Sequence, residues 1–324
     1  MKAVRIHEYG GPEVLVCDEV ERPAPGPQQA LIRVEAAGVN PVDVAVREDR
    51  FPTPKAPPKT IGSDGAGVVV EVGPDVAGLA VGDEVFFSGL GIGSEGSYAE
   101  YAVIAAVQAV PKPPSASFVE AAALGLAFAT AHYGLVHRAQ LQPDETVLVQ
   151  GAAGGVGSAA VQLARVLGGR VFGTVSADDD AIRVRELGAE ATIDRKREDV
   201  AARARELTGG NGVDIVVELH TSANLDTDLA AIARGGRIVC IGQGPRPEAE
   251  VPIGRALAAD ASLLFTSSGN AGRAGVADIL REVSQLVEEG RLRPVVGRTF
   301  PLAEARAAHE ALAGRHYGKI VLVP

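Results

Sequence analysis

The segment 147–165, VLVQGAAGGVGSAAVQLAR, limits the folds open to this chain more than any other stretch. An apolar run typical of a buried strand leads into a burst of glycine at 151–157. Apolar residues then return at helical spacing, since Ala160, Leu163 and Ala164 stand at positions i, i+3 and i+4. A strand that passes through a tight glycine turn into an amphipathic helix predicts a βα unit.

The same alternation of strand and helix continues from about residue 120 to residue 265. Apolar strands that alternate with amphipathic helices predict a parallel sheet covered by helices on both faces. The predicted strands are TVLVQ (146–150), RVFGTV (170–175), ATI (191–193), VDIVVEL (213–219), RIVCIG (237–242) and SLLFT (262–266). One more helix, at 276–289, and a final strand, KIVLVP, follow this region.

Residues 1–112 have a different texture, rich in Gly, Pro and Val. Short alternating runs such as ALIRVEAAGV (30–39) and GAGVVVEVG (65–73) predict short β-strands. Turn-forming stretches such as PAPGP (23–27) separate them. Because 324 residues exceed the usual size of one domain, we expect two domains, a mostly β domain and an α/β domain.

Charge and cysteine content exclude several classes of protein. The net charge of −10 disfavours a nucleic-acid or anionic-membrane partner, because phosphates attract clustered Lys and Arg. Cys17 and Cys240 stand too far apart to make a disulfide framework or a paired-cysteine zinc site. The polar first ten residues are unlike a signal peptide, and the apolar stretch 121–131 is too short to span a bilayer. We therefore expect a soluble cytoplasmic protein.

The glycine burst has two interpretations. Gly151, Gly154 and Gly157 form G-x-x-G-x-x-G, which by itself is a weak signal and is compatible with a packing turn. Here it follows a strand and opens a helix at the start of a strand–helix series, the context of a dinucleotide-binding loop. Glycines let the backbone approach a pyrophosphate, and the helix N-terminus supplies free N–H groups. The context favours a phosphate cradle.

The chain also resembles a known family at segments spread from end to end. These segments are GVNPVD (38–43), GSDGAGVVVEVG (62–73), GDEVF (82–86), GSYAEYAV (96–103), GAAGGVG (151–157), ELHTSANL (218–225), GGRIVCIG (235–242) and GKIVLVP (318–324). They resemble the zinc-independent, zeta-crystallin-like quinone oxidoreductases of the medium-chain dehydrogenase/reductase superfamily. The resemblance implies a GroES-like catalytic domain of residues 1–121, completed by 267–324, and a Rossmann dinucleotide-binding domain of residues 122–266 with a doubly wound parallel sheet.

The resemblance also bears on metal binding. The positions that hold the catalytic zinc in zinc-dependent members of the superfamily correspond to Asn40, Ser63 and Leu126 here. Zinc needs thiolate, imidazole or carboxylate donors, and leucine offers none. The cysteine-rich lobe of those relatives is absent, and the histidines show no metal spacing. We therefore expect no metal, which disfavours an alcohol dehydrogenase because no Lewis acid would polarise an alcohol.

The cofactor contacts of the family can be transferred to this sequence position by position. The resemblance implies that Asn40 and Thr130 lie beside the nicotinamide ribose and ring, and we take both as the catalytic positions. The remaining cofactor contacts it implies are Gly151, Ala153, Gly154, Gly155, Val156 and Gly157 at the pyrophosphate; Ser176 and Arg195 at the adenosine phosphate; Asn224, Ile241, Gly242, Gln243, Gly244, Leu264, Phe265 and Thr266 at the nicotinamide half; and Lys319 as a further phosphate contact.

The implied activity is the transfer of reducing equivalents from NADPH to a quinone. One alternative is an NADPH-dependent reductase of enones or 2-enoyl thioesters, and another is a non-catalytic, crystallin-like NADPH-binding protein. NADPH is expected over NADH because the second predicted strand ends in Ser176, where NAD-specific folds place an acid, and Arg195 could pair with the 2′-phosphate. The acidic run 178–180 would oppose that phosphate if it reached the pocket.

Two further expectations concern substrate and assembly. Many relatives carry a tyrosine near the segment after GVNP, but this chain has Ala45 and Phe51 at the two candidate positions. Neither can donate the proton that reduction of a carbon–carbon double bond requires, so we expect quinones to react faster than enones. Asp43 could replace the tyrosine only if its pKa were strongly raised. The apolar last strand, SLLFT, predicts a homodimer or homotetramer, because an open apolar edge is normally paired.

Overall fold

The computed structural model describes residues 1–51 and 53–324. The chain divides into two compact units. The first unit combines Met1–Ala129 with Ala271–Pro324, and the second is Thr130–Asn270. The limits expected from the sequence, 1–121 with 267–324 and 122–266, stay a prediction, as do the catalytic and nucleotide-binding roles attached to them.

Strands and helices alternate in the second unit and are mostly segregated in the first. The strands are β1 (Lys2–Ile6), β2 (Leu15–Glu19), β3 (Gln29–Val39), β4 (Lys59–Thr60), β5 (Gly65–Val72), β6 (Glu84–Phe87), β7 (Tyr101–Ala105), β8 (Val110–Pro111), β9 (Thr146–Val149), β10 (Arg170–Val175), β11 (Ala191–Asp194), β12 (Val213–Glu218), β13 (Ile232–Cys240), β14 (Ser262–Phe265), β15 (Val296–Pro301) and β16 (Lys319–Val323). The helices are α1 (Pro41–Arg47), α2 (Phe118–Ala122), α3 (Gly125–His132), α4 (Gly155–Val166), α5 (Asp178–Glu186), α6 (Val200–Leu207), α7 (Thr221–Ala231), α8 (Ile253–Ala258), α9 (Gly272–Glu288) and α10 (Ala305–Ala313).

The first unit is built on two sheets. One sheet has the strand order β2-β1-β4, and the other has the order β15-β16-β3-β5-β6-β8, with β7 also pairing with β3. The C-terminal strand β16 runs antiparallel to β3 and sets Ile320 opposite Val39. Ile32, Phe87 and Ile320 belong to one buried cluster, so residues from both ends of the chain share a core. The mostly β character expected for this region is confirmed.

The second unit is a parallel sheet with the strand order β11-β10-β9-β12-β13-β14. β9 is the first strand of this sheet in the sequence. β10 and β11 lie on one side of it, and β12, β13 and β14 lie on the other. The strand order therefore reverses between β9 and β12, which is the position where open α/β sheets bind ligands. The doubly wound parallel sheet expected from the sequence is confirmed.

Most of the predicted strands keep their positions, and β13 differs most. It begins at Ile232, well before the predicted Arg237, because Ile232 pairs with Val213 and a bulge follows. The predicted helix 276–289 is α9, which starts earlier, at Gly272, and buries Ala277, Leu280 and Val283. None of the helices in the described residues is both long enough and apolar enough to cross a membrane.

Candidate functional site

The glycine loop of the second unit connects β9 to α4. Gly151 has φ +64°, a conformation that side chains other than glycine rarely adopt. A Cβ on Gly157 would lie 2.2 Å from the carbonyl oxygen of Gly151, so only glycine allows the first turn of α4 to pack against the loop. These two glycines therefore serve the shape of the loop itself.

Gly154, the N-cap residue of α4, needs a different explanation. Its φ of −78° suits any residue, and a Cβ there would meet only the Gly151 oxygen, at 3.6 Å. Neither the backbone conformation nor the packing of the protein requires glycine at this position. No side chain caps the helix, so its first N–H groups are free to bind an anion. An uncapped helix N-terminus beside open space fits a dinucleotide pyrophosphate.

The predicted adenosine-phosphate contacts follow two neighbouring strands. Ser176 follows β10 and Arg195 follows β11, and the Arg195 backbone N–H donates to the carbonyl oxygen of Val175 at 3.0 Å. The structure therefore places these two residues at adjacent strand ends. Asp178, from the acidic run, accepts a hydrogen bond from Arg197 at 2.9 Å. This ion pair offsets part of the negative charge that was expected to oppose a phosphate.

The predicted nicotinamide contacts of the second unit lie at three other strand ends. Asn224 lies on α7, just after β12, and its Nδ2 donates to both Glu218 carboxylate oxygens at 3.2 Å. A Cβ on Gly242 would lie 1.8 Å from the Leu219 carbonyl oxygen, which fixes the loop after β13 against the end of β12. The other predicted residues there are Ile241, Gln243 and Gly244 after β13, and Leu264, Phe265 and Thr266 at the end of β14.

Thr130 and Thr266 present hydroxyl groups in the second unit. The Thr130 hydroxyl lies 3.1 Å from the Ser268 hydroxyl, and Thr130 is buried. The Thr266 hydroxyl is buried and has no hydrogen-bond partner among the described residues. A buried hydroxyl without a partner is costly, which is consistent with a partner supplied by a ligand.

Asn40, in the first unit, lies between β3 and α1 and is the N-cap residue of α1. Its Nδ2 donates to Asp64 at 2.9 Å and to the Gly38 carbonyl oxygen at 3.3 Å, and its Oδ1 accepts from Lys319. The Asn40 amide is therefore held from both ends, and only one lone pair of Oδ1 remains for another partner.

Lys319 is buried, and its ammonium group is engaged within the first unit. It donates to the Val39 carbonyl oxygen at 2.9 Å and to Asn40, and lies 3.4 Å from Asp64. The three donors of its ammonium group thus all have acceptors, one of them a buried carboxylate. The predicted phosphate contact stays a prediction that this geometry does not support.

Asp43 lies beside Asn40 and accepts three hydrogen bonds. The donors are the Ser63 hydroxyl at 2.7 Å, the Asn40 backbone N–H at 2.8 Å and the Tyr98 hydroxyl at 3.0 Å. Burial is the largest cause that raises the pKa of Asp43 to about 6, and the hydrogen bonds from Ser63 and from the Asn40 backbone oppose it. The ionised form of Asp43 therefore predominates at pH 7.

A buried chain of side chains continues from Asp43 to α10. Tyr98 also contacts His309 Nε2 at 3.2 Å, and Arg47 Nη1 lies 3.0 Å from His309 Nδ1. Because the guanidinium can only donate, Nδ1 is the acceptor and Nε2 carries the hydrogen that goes to Tyr98. Burial and Arg47 lower the pKa of His309 to about 3, so it stays neutral.

The three positions aligned with zinc ligands are engaged differently here. The Asn40 amide binds Asp64 and Lys319, the Ser63 hydroxyl binds Asp43, and the Leu126 backbone N–H donates to Asp64 at 2.9 Å. Within residues 1–51 and 53–324, no three His, Cys, Asp or Glu side chains are grouped so that they could hold a metal ion.

Asp64, Tyr98 and His309 were not predicted from the sequence as functional residues. Asp64 offered a signal, because a carboxylate at the start of an apolar strand needs a partner if it is buried. His309 offered a weaker one, since it shares the buried face of α10 with Ala305 and Ala308. Its partners come from distant parts of the chain, and no local pattern reveals them.

Known proteins match this chain along its whole length. The model of the alcohol dehydrogenase GroES-like domain matches residues 26–114, and that of the zinc-binding dehydrogenases matches residues 187–322. Quinone oxidoreductase from Rattus norvegicus is 35% identical over 327 residues, which cover 100% of this chain and 98% of that protein.

Solved structures have the same fold. Escherichia coli quinone oxidoreductase, complexed with NADPH, superposes with a TM-score of 0.91 at 29% identity over 100% of both chains. A structure described as an NAD-dependent alcohol dehydrogenase gives a TM-score of 0.92 at 35% identity, again over 100% of both chains. The GroES-like unit and the doubly wound sheet define a medium-chain dehydrogenase/reductase. Within that class, the chain belongs to the quinone oxidoreductase family and is an oxidoreductase.

Proposed function

We propose that this protein oxidises NADPH and reduces a quinone, without a metal ion. Bound NADPH would supply the hydride. The observation that carries the proposal is Gly154, a glycine that the protein's own packing does not require, at the uncapped N-terminus of α4. Membership of the quinone oxidoreductase family supports the choice of substrate class.

The residues that the family resemblance implies are proposed to hold the cofactor. The backbone N–H groups from Ala153 to Gly157 bind the pyrophosphate, and Ser176 and Arg195 bind the 2′-phosphate. Asn224 orients the nicotinamide half together with residues 241–244, which follow β13, and residues 264–266 at the end of β14. Thr130 and Asn40 contact the nicotinamide ribose and ring. NADPH is preferred over NADH because β10 ends without an acid and Arg195 supplies a positive charge.

The three candidate residues Asp43, Ala45 and Phe51 are poorly suited to donate a proton, and this favours a quinone over an enone as the substrate. Asp43 has accepted three hydrogen bonds and is mostly ionised at pH 7. Ala45 and Phe51 carry no exchangeable proton. A double bond needs a positioned acid at the neighbouring carbon. A quinone that accepts a hydride becomes a stabilised hydroquinone anion, which solvent can protonate.

Two further features belong to the proposal. The absence of metal-ligating side chains at Asn40, Ser63 and Leu126 supports catalysis without zinc. The two cysteines are unpaired, which is compatible with a reducing cytoplasm.

We also propose that the protein is a homodimer or homotetramer. β14 is an edge strand whose pairing within the described residues is with β13. Apolar side chains are exposed on β14 and on the helix that precedes it in the chain, with Phe265 at 67% and Leu257 on α8 at 72%. A second copy of the chain would cover this surface and pair the edge.

The decisive experiment measures oxidation of NADPH and NADH by the purified protein with quinones, enones and 2-enoyl thioesters. We expect the highest kcat/KM with NADPH and a quinone, unchanged by a chelator, and less than one zinc per chain by metal analysis. A higher kcat/KM for an enone or a thioester than for every quinone would instead support the double-bond reductase. Tight NADPH binding without turnover of any acceptor would support the non-catalytic alternative.

A further inference from the structure

A continuous chain of buried polar side chains lies under the glycine loop. The Gly151 backbone N–H donates to the Thr174 hydroxyl at 2.9 Å, and this hydroxyl donates to Gln150 Oε1 at 2.9 Å. Gln150 Nε2 then donates to Asp228 Oδ1 at 2.8 Å. Each of these side chains is buried. The first glycine of the loop is thus linked through two side chains to a carboxyl group on α7.

A second carboxyl group lies beside this chain of side chains. Asp228 and Glu218 are both fully buried, and the charge of nearby Glu218 is one of the causes that raise the pKa of Asp228. Glu218 also accepts from Asn224 and from the His220 backbone N–H. Asp228 Oδ2 is buried and has no hydrogen-bond partner among the described residues. An ionised carboxylate with one oxygen orphaned in the interior is costly, so the geometry favours a proton on Asp228, which could then donate toward Glu218.

The surroundings favour placing that proton on Asp228. Burial is the largest cause that raises the pKa of Asp228 well above its usual value, and Glu218 adds to it. Glu218 accepts hydrogen bonds from the Asn224 amide and the His220 backbone N–H, whereas Asp228 accepts from Gln150 through Oδ1 and has no partner among the described residues at Oδ2. The Cys240 thiol on β13 is neutral, because burial raises its pKa to about 11.

The arginine side chains of the helices beside α7 bind groups other than Asp228 and Glu218. Arg205 on α6 donates to the carbonyl oxygens of Ala230 and Ile232. Arg255 on α8 pairs with Asp226.

The position of this network in the sheet gives it a role. It joins the ends of β10, β9 and β12, and so crosses the point where the strand order reverses. At one end it holds Gly151, which begins the proposed pyrophosphate loop. At the other end it holds Asn224, a proposed contact of the nicotinamide half. The network therefore links two cofactor-binding segments that are far apart in sequence.

We propose that Asp228 is a positioning residue that, in its protonated form, holds the glycine loop and the Asn224 segment in the geometry that binds the dinucleotide. The proposal rests on the proposed NADPH binding. Loss of the proton would set two buried carboxylates against each other and break the network between Gln150 and Glu218. The affinity for NADPH should therefore fall on the alkaline side, as Asp228 ionises.

The test measures the Kd for NADPH between pH 6 and pH 9.5 by fluorescence, together with hydrogen exchange in the free protein over residues 147–157. Asp228→Asn can still donate to Glu218 and accept from Gln150, so we expect its Kd at pH 7 to stay within about twofold of the wild type and its alkaline loss of affinity to disappear. Asp228→Ala should raise the Kd about tenfold or more and speed exchange at the Gly151 amide.

Asp214→Asn is the matched control. Asp214 also links β12 to β9, through Thr146 at 2.7 Å, but it does so at the opposite end of the strands. This variant should keep the wild-type pH profile of the Kd.

The proposal would be overturned by an Asp228→Asn profile that still falls like the wild type, or by unchanged exchange in Asp228→Ala. If the alanine variant does not fold, the asparagine profile alone decides. Failure of the wild type to bind NADPH at any pH would refute the proposed function, whereas the exchange experiment would still test the network.

Discussion

His309 shows how a single buried residue can set the acid stability of the first unit. It must stay neutral to accept from Arg47 and donate to Tyr98, which in turn donates to Asp43. Its pKa, lowered to about 3, means that the unfolded chain binds a proton that the folded chain excludes. The stability that depends on neutral His309 is therefore present above pH 6.5 and is lost as the pH falls toward 3.

We expect His309→Gln to reduce this loss of stability in acid. Glutamine can accept from Arg47 and donate to Tyr98 without binding a proton. At pH 5 the cost of neutral His309 is about 2 kcal/mol, so the melting temperature of the variant should gain on the wild type between pH 7 and pH 5. His7→Gln, at an exposed histidine, is the control and should follow the wild type. Parallel pH profiles for all three proteins would contradict this role of His309.

At the scale of the element, the glycines of the loop between β9 and α4 have two different functions. Some allow the loop to pack, and one leaves space for a ligand. Gly157 is needed for packing, because a Cβ would lie 2.2 Å from a backbone oxygen. Gly154 has room for a Cβ and an ordinary φ. The motif G-x-x-G-x-x-G therefore contains two glycines that serve the fold, Gly151 and Gly157, and one, Gly154, that leaves space for a ligand.

Two alanine substitutions should separate these functions. Gly154→Ala should keep the melting temperature near the wild type, or raise it slightly, because alanine costs less conformational entropy. The same change should weaken NADPH binding about tenfold or more by filling the phosphate cradle. Gly157→Ala should lower both the melting temperature and the affinity, because the backbone must move. Unchanged NADPH affinity in Gly154→Ala, measured by fluorescence titration, would rule out the cradle.

Local patterns made most of the elements predictable, but not the buried polar networks. Strands of the parallel sheet such as β9 appear as mostly apolar runs, and a glycine turn marks the start of α4. The partner of Asp64 is Lys319, which is distant in the sequence, and Glu218 meets Asp228 only once α7 packs on the sheet. Hydrogen bonds between distant residues leave no periodic signal. Lys319 illustrates the limit, since its sequence context suggested a phosphate and the structure gives it a carboxylate.

At the scale of the whole molecule, the net charge of −10 keeps chains apart at long range, so association needs a specific apolar surface. The exposed side chains of α8, which precedes the edge strand β14 in the chain, provide one. Ile253 is 62% exposed and Leu257 is 72% exposed. On the other edge of the sheet, Ile182 on α5 is similarly exposed, at 60%.

We expect light scattering to give the wild type a mass of two or four chains at micromolar concentration. The double variant Ile253→Glu/Leu257→Glu should shift that mass toward a single chain, because buried unpaired carboxylates oppose association. Ile182→Glu is the matched control, with a similar exposed apolar side chain replaced beside β11, and should keep the wild-type mass. A wild type that is already a single chain would refute the proposed assembly.

The pairing of β16 with β3 also has a consequence for how the protein folds during its synthesis on the ribosome. The second unit is continuous in the chain, so all of its residues have been synthesised before residue 271 is added. The first unit must wait for β15 and β16, and until then Asp64 and Asn40 lack the ammonium group of Lys319. A nascent chain can thus complete its doubly wound sheet while its other sheet still has an open edge at β3. Translation that stops before β16 therefore releases a polypeptide in which Asp64 lacks its ammonium partner, so we expect its first unit to be less stable than that of the whole chain.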